Sequence, residues 1–132
     1  MDIQKKLFQY VFDASSLINI ERTGKMAYLR RRREEILIPE KIAKEVNLPQ
    51  SPLHRFLIRY PEVVTSFQNG EDEEYLWIRS QVGIDDGEAA AMAIALKRKF
   101  TLVIDERDTK ATGKAKNHGI KTLSWKEFLR GS

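Results

Sequence analysis

"DDGEAAAMAIALKRKFTLVID", Asp85 to Asp105, runs a helix almost directly into a strand. The first fifteen residues are rich in alanine, carry acids in the first turn and bases in the last, and so complement the helix dipole as well as favouring helix. "FTLVID", Phe100 to Asp105, then reads as a buried strand that closes on a carboxylate. A helix followed so closely by an apolar strand is half of the repeating unit of an α/β protein.

The rest of the chain repeats the alternation. Leu7 to Phe12 is an apolar, partly β-branched run ending at Asp13. Ser15 to Arg33 reads as one or two helices with a break at Thr23-Gly24. "EILIP" is a second strand, and Pro39 suits the first turn of the helix "PEKIAKEV". "EVVTSF", Glu62 to Phe67, is a third strand. "EDEEYLWIRSQV" has helical spacing, with Tyr75, Leu76, Ile78 and Val82 on one broad face. "TKATGKAKNHG" predicts a short helix ending at Gly119, and "IKTLSW" a last strand. "NLPQSPLHRF", Asn47 to Phe56, carries two prolines and is expected to be a loop. The pattern predicts an α/β layered fold with a mostly parallel sheet, whose functional crevice lies outside the carboxyl ends of the strands.

A length of 132 residues, 42% hydrophobic and 32% charged, suits one domain spanning residues 1–132. The absence of cysteine excludes disulfides, thiolate nucleophiles and sulfur-based zinc sites, and is compatible with a cytoplasmic location. The longest all-apolar run, "AAAMAIAL", is far shorter than the roughly 20 residues that cross a bilayer, and no secretory signal is read at the start. A soluble protein with no membrane partner is expected. The net charge of +4 favours polyanionic partners without naming one.

Four acids hold the chemical interest, and each has a bland reading. Asp13 can cap the helix that begins near Ser15. Glu45 can pair with Lys41 across one turn. Asp85 and Glu88 have the spacing of a capping box, and Asp105 can cap the next helix, with Glu106 and Asp108 beside it. Their joint placement is harder to dismiss: Asp13 and Asp105 end two strands, and Glu88 opens a helix whose start belongs at the same edge. Two like charges about 4 Å apart repel by on the order of 4 kcal/mol at an effective dielectric near 20. Protonation offsets this only through strongly raised pKa values, whereas a hard cation does so through oxygen ligands, which points to Mg²⁺ or Mn²⁺.

"VFDASSLI", "IPEKIAKEV", "DDGEAAAMAIALK" and "LVIDERD", in this order and at these intervals, resemble the PIN domain, the metal-dependent nuclease fold of VapC-type toxins and some RNA-processing factors. The resemblance implies a three-layer α/β/α sandwich with an acidic pocket at one edge of a parallel sheet. It places the catalytic acids at Asp13, Glu45, Glu88 and Asp105, with Ser15 as a polar neighbour of the metal. Asp108 is an additional metal ligand candidate beside Asp13, Glu88 and Asp105. The chain departs from the pattern at Ile104, where family members often carry threonine, and at Glu106, where a second aspartate is common.

The expected activity is endonucleolytic hydrolysis of single-stranded or loop RNA by a metal-activated water, in the setting of a toxin with an antitoxin partner. An RNA-maturation nuclease is the active alternative, and a catalytically silent RNA- or protein-binding module the alternative from another class. Homodimerisation is implied by resemblance alone. "LRRRREE", Leu29 to Glu35, either tracks a phosphate backbone or forms a solvated face in which Arg30 pairs with Glu34 and Arg31 with Glu35. Trp77 and Trp125 can stack bases or pack in the core, and His54 with His118 offers a metal-free acid–base pair that lacks a strand to aim it.

Overall fold

The structure, a computed structural model, describes residues 9–81 and 83–131. Among these residues, five strands form one sheet: β1 (Tyr10–Phe12), β2 (Ile36–Pro39), β3 (Val64–Thr65), β4 (Thr101–Ile104) and β5 (Thr122–Ser124). Their order is β3-β2-β1-β4-β5, and every pairing is parallel. Phe12 lies opposite Val103, so β1 and β4 finish together and Asp13 and Asp105 leave the sheet side by side.

Among the described residues, eight α-helices connect and flank the strands. They are α1 (Ala14–Arg22), α2 (Met26–Arg31), α3 (Glu40–Val46), α4 (Pro52–Arg59), α5 (Glu71–Arg79), α6 (Asp86–Arg98), α7 (Thr109–Asn117) and α8 (Trp125–Arg130). The chain steps outward from β1 to β3 through α1–α4, then returns through α5 and α6 to β4 and onward through α7 to β5. The helices flank the sheet to give the three-layer sandwich, α3 packs on α6 as well as on α1, and the change of direction leaves a topological switch point between β1 and β4. α6 packs along β1, β2 and β4, and α5 lies along α6. Its run Ala89–Ala95 is buried throughout, because alanines let the helix sit close to the sheet. Among the described residues, no helix is long and apolar enough to cross a membrane.

Most predicted elements fall where the pattern puts them, with instructive exceptions. The first strand is Tyr10–Phe12; Leu7 and Phe8 lie outside the described residues. The break at Thr23-Gly24 separates α1 from α2, with Gly24 at φ +71, a conformation that suits glycine. Pro39 ends β2 and precedes α3 at its cap position, where it lacks the amide that the cap would leave unpaired. The expected loop at 47–56 is corrected: Ser51 accepts the His54 amide and Pro52 occupies the first position of α4. The same cap logic builds α8, which the strand reading of "IKTLSW" overran: Ser124 and Glu127 form a full capping box. In α5, Ile78 is buried but Leu76 is 65% exposed, so the apolar face is narrower than its spacing predicts; Val82 lies outside the described residues.

The arginine run sits at the amino end of β2, across the sheet from the strand-end acids. The expected pairs Arg30–Glu34 and Arg31–Glu35 give way to Arg32–Glu35 at 3.2 Å. Arg32 also bonds the Phe128 carbonyl and lies 3.8 Å from that ring's centre, which fastens α8 to the start of β2.

Candidate active site

Asp13 is fixed from both sides. Its backbone amide donates to the Val103 carbonyl at 3.2 Å, tying the end of β1 to β4, while its carboxylate accepts the Ser16 amide at 2.8 Å and so caps α1. The capping role and the buried-acid role coincide, for the residue is only 4% exposed. Burial pushes its pKa up to about 6, and the Asp105 charge adds to this; bonds from Ser16 and the Asp105 backbone amide hold it back. Ser16, rather than Ser15, is the serine bonded to Asp13: Ser15 is exposed, and its carbonyl accepts from Asn19.

Asp105 stands just past β4 and is also buried. Its carboxylate is clasped by Arg107, with Nη2 to Oδ2 at 2.8 Å and the Arg107 amide to Oδ1 at 3.1 Å, and Asn19 of α1 donates to Oδ2 at 2.9 Å. Arg107 and Asn19 therefore hold the Asp105 carboxyl below the usual range despite burial. Neither was singled out in the sequence, although Asn19 is a lone polar residue between Ile18 and Ile20.

A second group of acids gathers at the start of α6. Asp85 accepts the Glu88 amide at 2.8 Å and caps the helix. Glu88 is pushed up to about 8, first by burial, then by a hydrogen bond with Asp108 and by the charges of Asp85 and Asp108. Glu45 reaches this group from α3: its Oε1 lies 2.6 Å from the position a Cβ on Gly87 would take. Burial and the charges of Asp85 and Asp86 raise Glu45 as well. Its expected partner Lys41 lies instead over the Tyr75 ring, 4.9 Å from the centre. Asp86 turns outward to Arg79 and to the Tyr75 hydroxyl, which hold its carboxyl low.

The five predicted acids are thus brought to one edge as an Asp13–Asp105 pair, a Glu88–Asp108 pair, and Glu45 beside the second. Among the described residues no three His, Asp or Glu side chains are grouped tightly enough to enclose one ion. The donor chemistry nevertheless fits Mg²⁺ or Mn²⁺, because such ions are held through one or two carboxylates with waters and substrate phosphates completing the shell. In both pairs at least one carboxyl is raised by its neighbour's charge, so a cation placed there relieves a repulsion already present.

The two histidines are engaged separately, His54 with Asn47 and His118 with Gln81, and make no pair with each other through these bonds. Trp125 is buried in the core, whereas Trp77 is 57% exposed and meets His118 edge-on.

An all-parallel sheet with order 3-2-1-4-5 and acids at its switch point defines a class of α/β proteins that act on a ligand at the carboxyl edge. The chain belongs to the PIN-domain family: a family model described as a PIN domain matches residues 9–123. The fold is accordingly a nuclease fold. A search of curated proteins finds no significant match.

Proposed function

We propose that this protein is a divalent-metal-dependent endoribonuclease that hydrolyses phosphodiester bonds in single-stranded or loop RNA. The observation that carries the reading is the Asp13–Asp105 pair at the switch point, with the Glu88–Asp108 pair at the start of α6, in a chain of this family. Asp13, Asp105, Glu88 and Asp108 would hold Mg²⁺ or Mn²⁺. Such an ion, when bound, lowers the pKa of a water and neutralises charge building on the phosphate. Asp13, tied to Val103 through its backbone and to Ser16 through its carboxylate, would meet an ion without reorganisation. Glu45, reaching in from the α3 side, or Glu88, at the start of α6, would orient or deprotonate the attacking water.

The setting proposed for this member of the family is the toxin of a toxin–antitoxin pair, with an antitoxin protein and a second copy of the chain as partners. One observation favours the non-catalytic alternative: Arg107 already neutralises Asp105.

The test is Asp13→Asn, which keeps an N-cap acceptor and so should fold. Cleavage of single-stranded RNA in Mn²⁺ is expected to drop by about 10²-fold or more, in line with removal of a charge-stabilising group. Undiminished Mn²⁺-dependent cleavage by the folded variant sinks the reading.

A further inference from the structure

Beside the acidic edge lies a cavity of about 190 Å³, walled in part by Pro39, Lys41, Lys44, Thr65, Ser66 and Phe67. It opens at the carboxyl ends of β2 and β3, the side of the sheet on which Asp13 and Asp105 also lie. Lys41 and Lys44 share α3 with Glu45, and Ala90 of the wall follows Glu88 on α6. The lining therefore belongs to the same two helices that carry acids of the candidate active site.

The chemistry of the walls is specific. Two lysines, two hydroxyl residues and an aromatic residue line it, the ring of Phe67 tilted against Tyr75 with centres 5.3 Å apart and the Lys41 ammonium 4.9 Å from the centre of the same Tyr75 ring. The hydroxyl-bearing wall is built on a buried support: Arg98 donates to the Thr65 hydroxyl at 3.0 Å and to the Ser66 carbonyl at 2.9 Å, and is itself paired with Glu71 at 2.7 Å. Glu40 also lines the cavity, accepting from the Ser66 hydroxyl at 3.0 Å and lying 3.8 Å from Lys44. Both of its contacts are exposed and weak, and the lysines outnumber it.

We propose that this cavity is a subsite for one nucleotide of a single-stranded nucleic acid, adjoining the bond to be cleaved. A phosphate meets Lys44 and Lys41, and the base lies against Phe67. Positive groups that track the backbone together with an aromatic platform are the recurrent means of holding single strands. The volume is below the roughly 300–1,000 Å³ of pockets that enclose a whole small ligand, so it takes a single base while the strand continues in the open. The inference rests on the nuclease reading for its substrate, but it can fail or survive separately.

The experiment measures binding, in EDTA, of a labelled single-stranded oligouridine of roughly ten nucleotides to the full chain. Lys44→Ala is expected to weaken binding about threefold and to lower the salt-dependence slope by about 0.7. Phe67→Leu, which keeps an apolar side chain but removes the stacking face, is expected to weaken it about fivefold. Glu40→Gln removes the opposing charge and should tighten binding, a gain that misfolding cannot imitate. Equal responses with oligodeoxyuridine assign the subsite to single strands generally, which the proposal covers. If all three variants bind like wild type while wild type cleaves RNA in Mn²⁺, the subsite is overturned and the nuclease reading stands. If wild type does not cleave but binding responds as described, the subsite stands and the nuclease reading falls.

Discussion

Gly87 decides how closely α3 approaches the start of α6. A Cβ there would lie 2.6 Å from Glu45 Oε1 and 3.2 Å from Ile42 Cγ1, so the missing side chain leaves the space that Glu45 fills. The nearest atom is the tip of a flexible side chain, and alanine is favoured over glycine in a helix by up to about 1 kcal/mol. Gly87→Ala should therefore fold, with a urea midpoint close to wild type, but Glu45 must swing away. Cleavage is expected to fall about tenfold or more, as for loss of a positioned acid–base group. Unchanged rates beside an unchanged midpoint would remove Glu45 from the chemistry. Arg107→Ala tests the other acid pair: with the guanidinium gone, Asp105 rises toward its ordinary pKa and Mn²⁺ titration should show tighter binding. Weaker binding would make Arg107 a support of the site rather than a competitor in it. Asp13 and Asp105 were legible in the sequence because an acid ending an apolar strand is conspicuous. Arg107 was not, since its clasp depends on the turn in which Asp108 N–H bonds the Asp105 carbonyl, and Asn19 reaches the site only because α1 packs beside β4.

At the scale of elements, strands β1, β2 and β4 could be read directly, since full burial leaves continuous apolar runs. α4 and α8 escape the sequence pattern for a common reason: each is short, and its start is signalled by a serine cap rather than by a long amphipathic repeat. "SPLH" and "SWKE" carried the information, but proline in one and an adjoining strand in the other outweighed it. β3 is shorter than its apolar run predicts because only Val64–Thr65 pairs with β2, the preceding residues forming a turn of 3-10 helix. What holds this short edge in place is the Arg98–Glu71 pair, whose side chains are 11% and 2% exposed and which joins α6 to α5 while Arg98 bonds Thr65. Breaking a buried pair from one side strands the other charge and costs about 3–5 kcal/mol. Arg98→Met should lower stability by that amount in urea unfolding, and Arg98→Met combined with Glu71→Met should recover part of the loss. A single-variant cost below about 1 kcal/mol, the range of exposed pairs, would mean that the edge is held by packing alone.

Across the whole molecule, the strand-end acids occupy one edge of the sheet and the Arg32 cluster the other, so carboxyl groups are concentrated at one edge despite the net charge of +4, with Arg107 offsetting Asp105 there. This has a consequence for stability against pH. Asp13 has a folded pKa of about 6 against an ordinary 3.8, so the folded state keeps its proton where the unfolded chain has lost it. The associated stability is fully present below about pH 4 and is lost as pH rises through 6; two units correspond to at most about 3 kcal/mol. Glu88 acts in the same direction over a higher window, from its ordinary 4.5 to about 8, with a smaller effect because it is partly open to solvent. Asp105 is lowered and acts oppositely, but only in more acid solution, as pH falls below its ordinary 3.8. In EDTA the urea midpoint should therefore decline steadily from pH 5 to pH 8.5, where many proteins are flat. Asp13→Asn should remove the lower part of that decline and leave the upper part, which belongs to Glu88. Added Mn²⁺ should restore stability at pH 8, where both carboxyls are ionised in its presence, and do little at pH 5, where protons compete for the same oxygens. A midpoint independent of pH over this range, or Mn²⁺ stabilising equally at both values, would show that burial does not hold these carboxyls protonated and that no cation competes with protons for them.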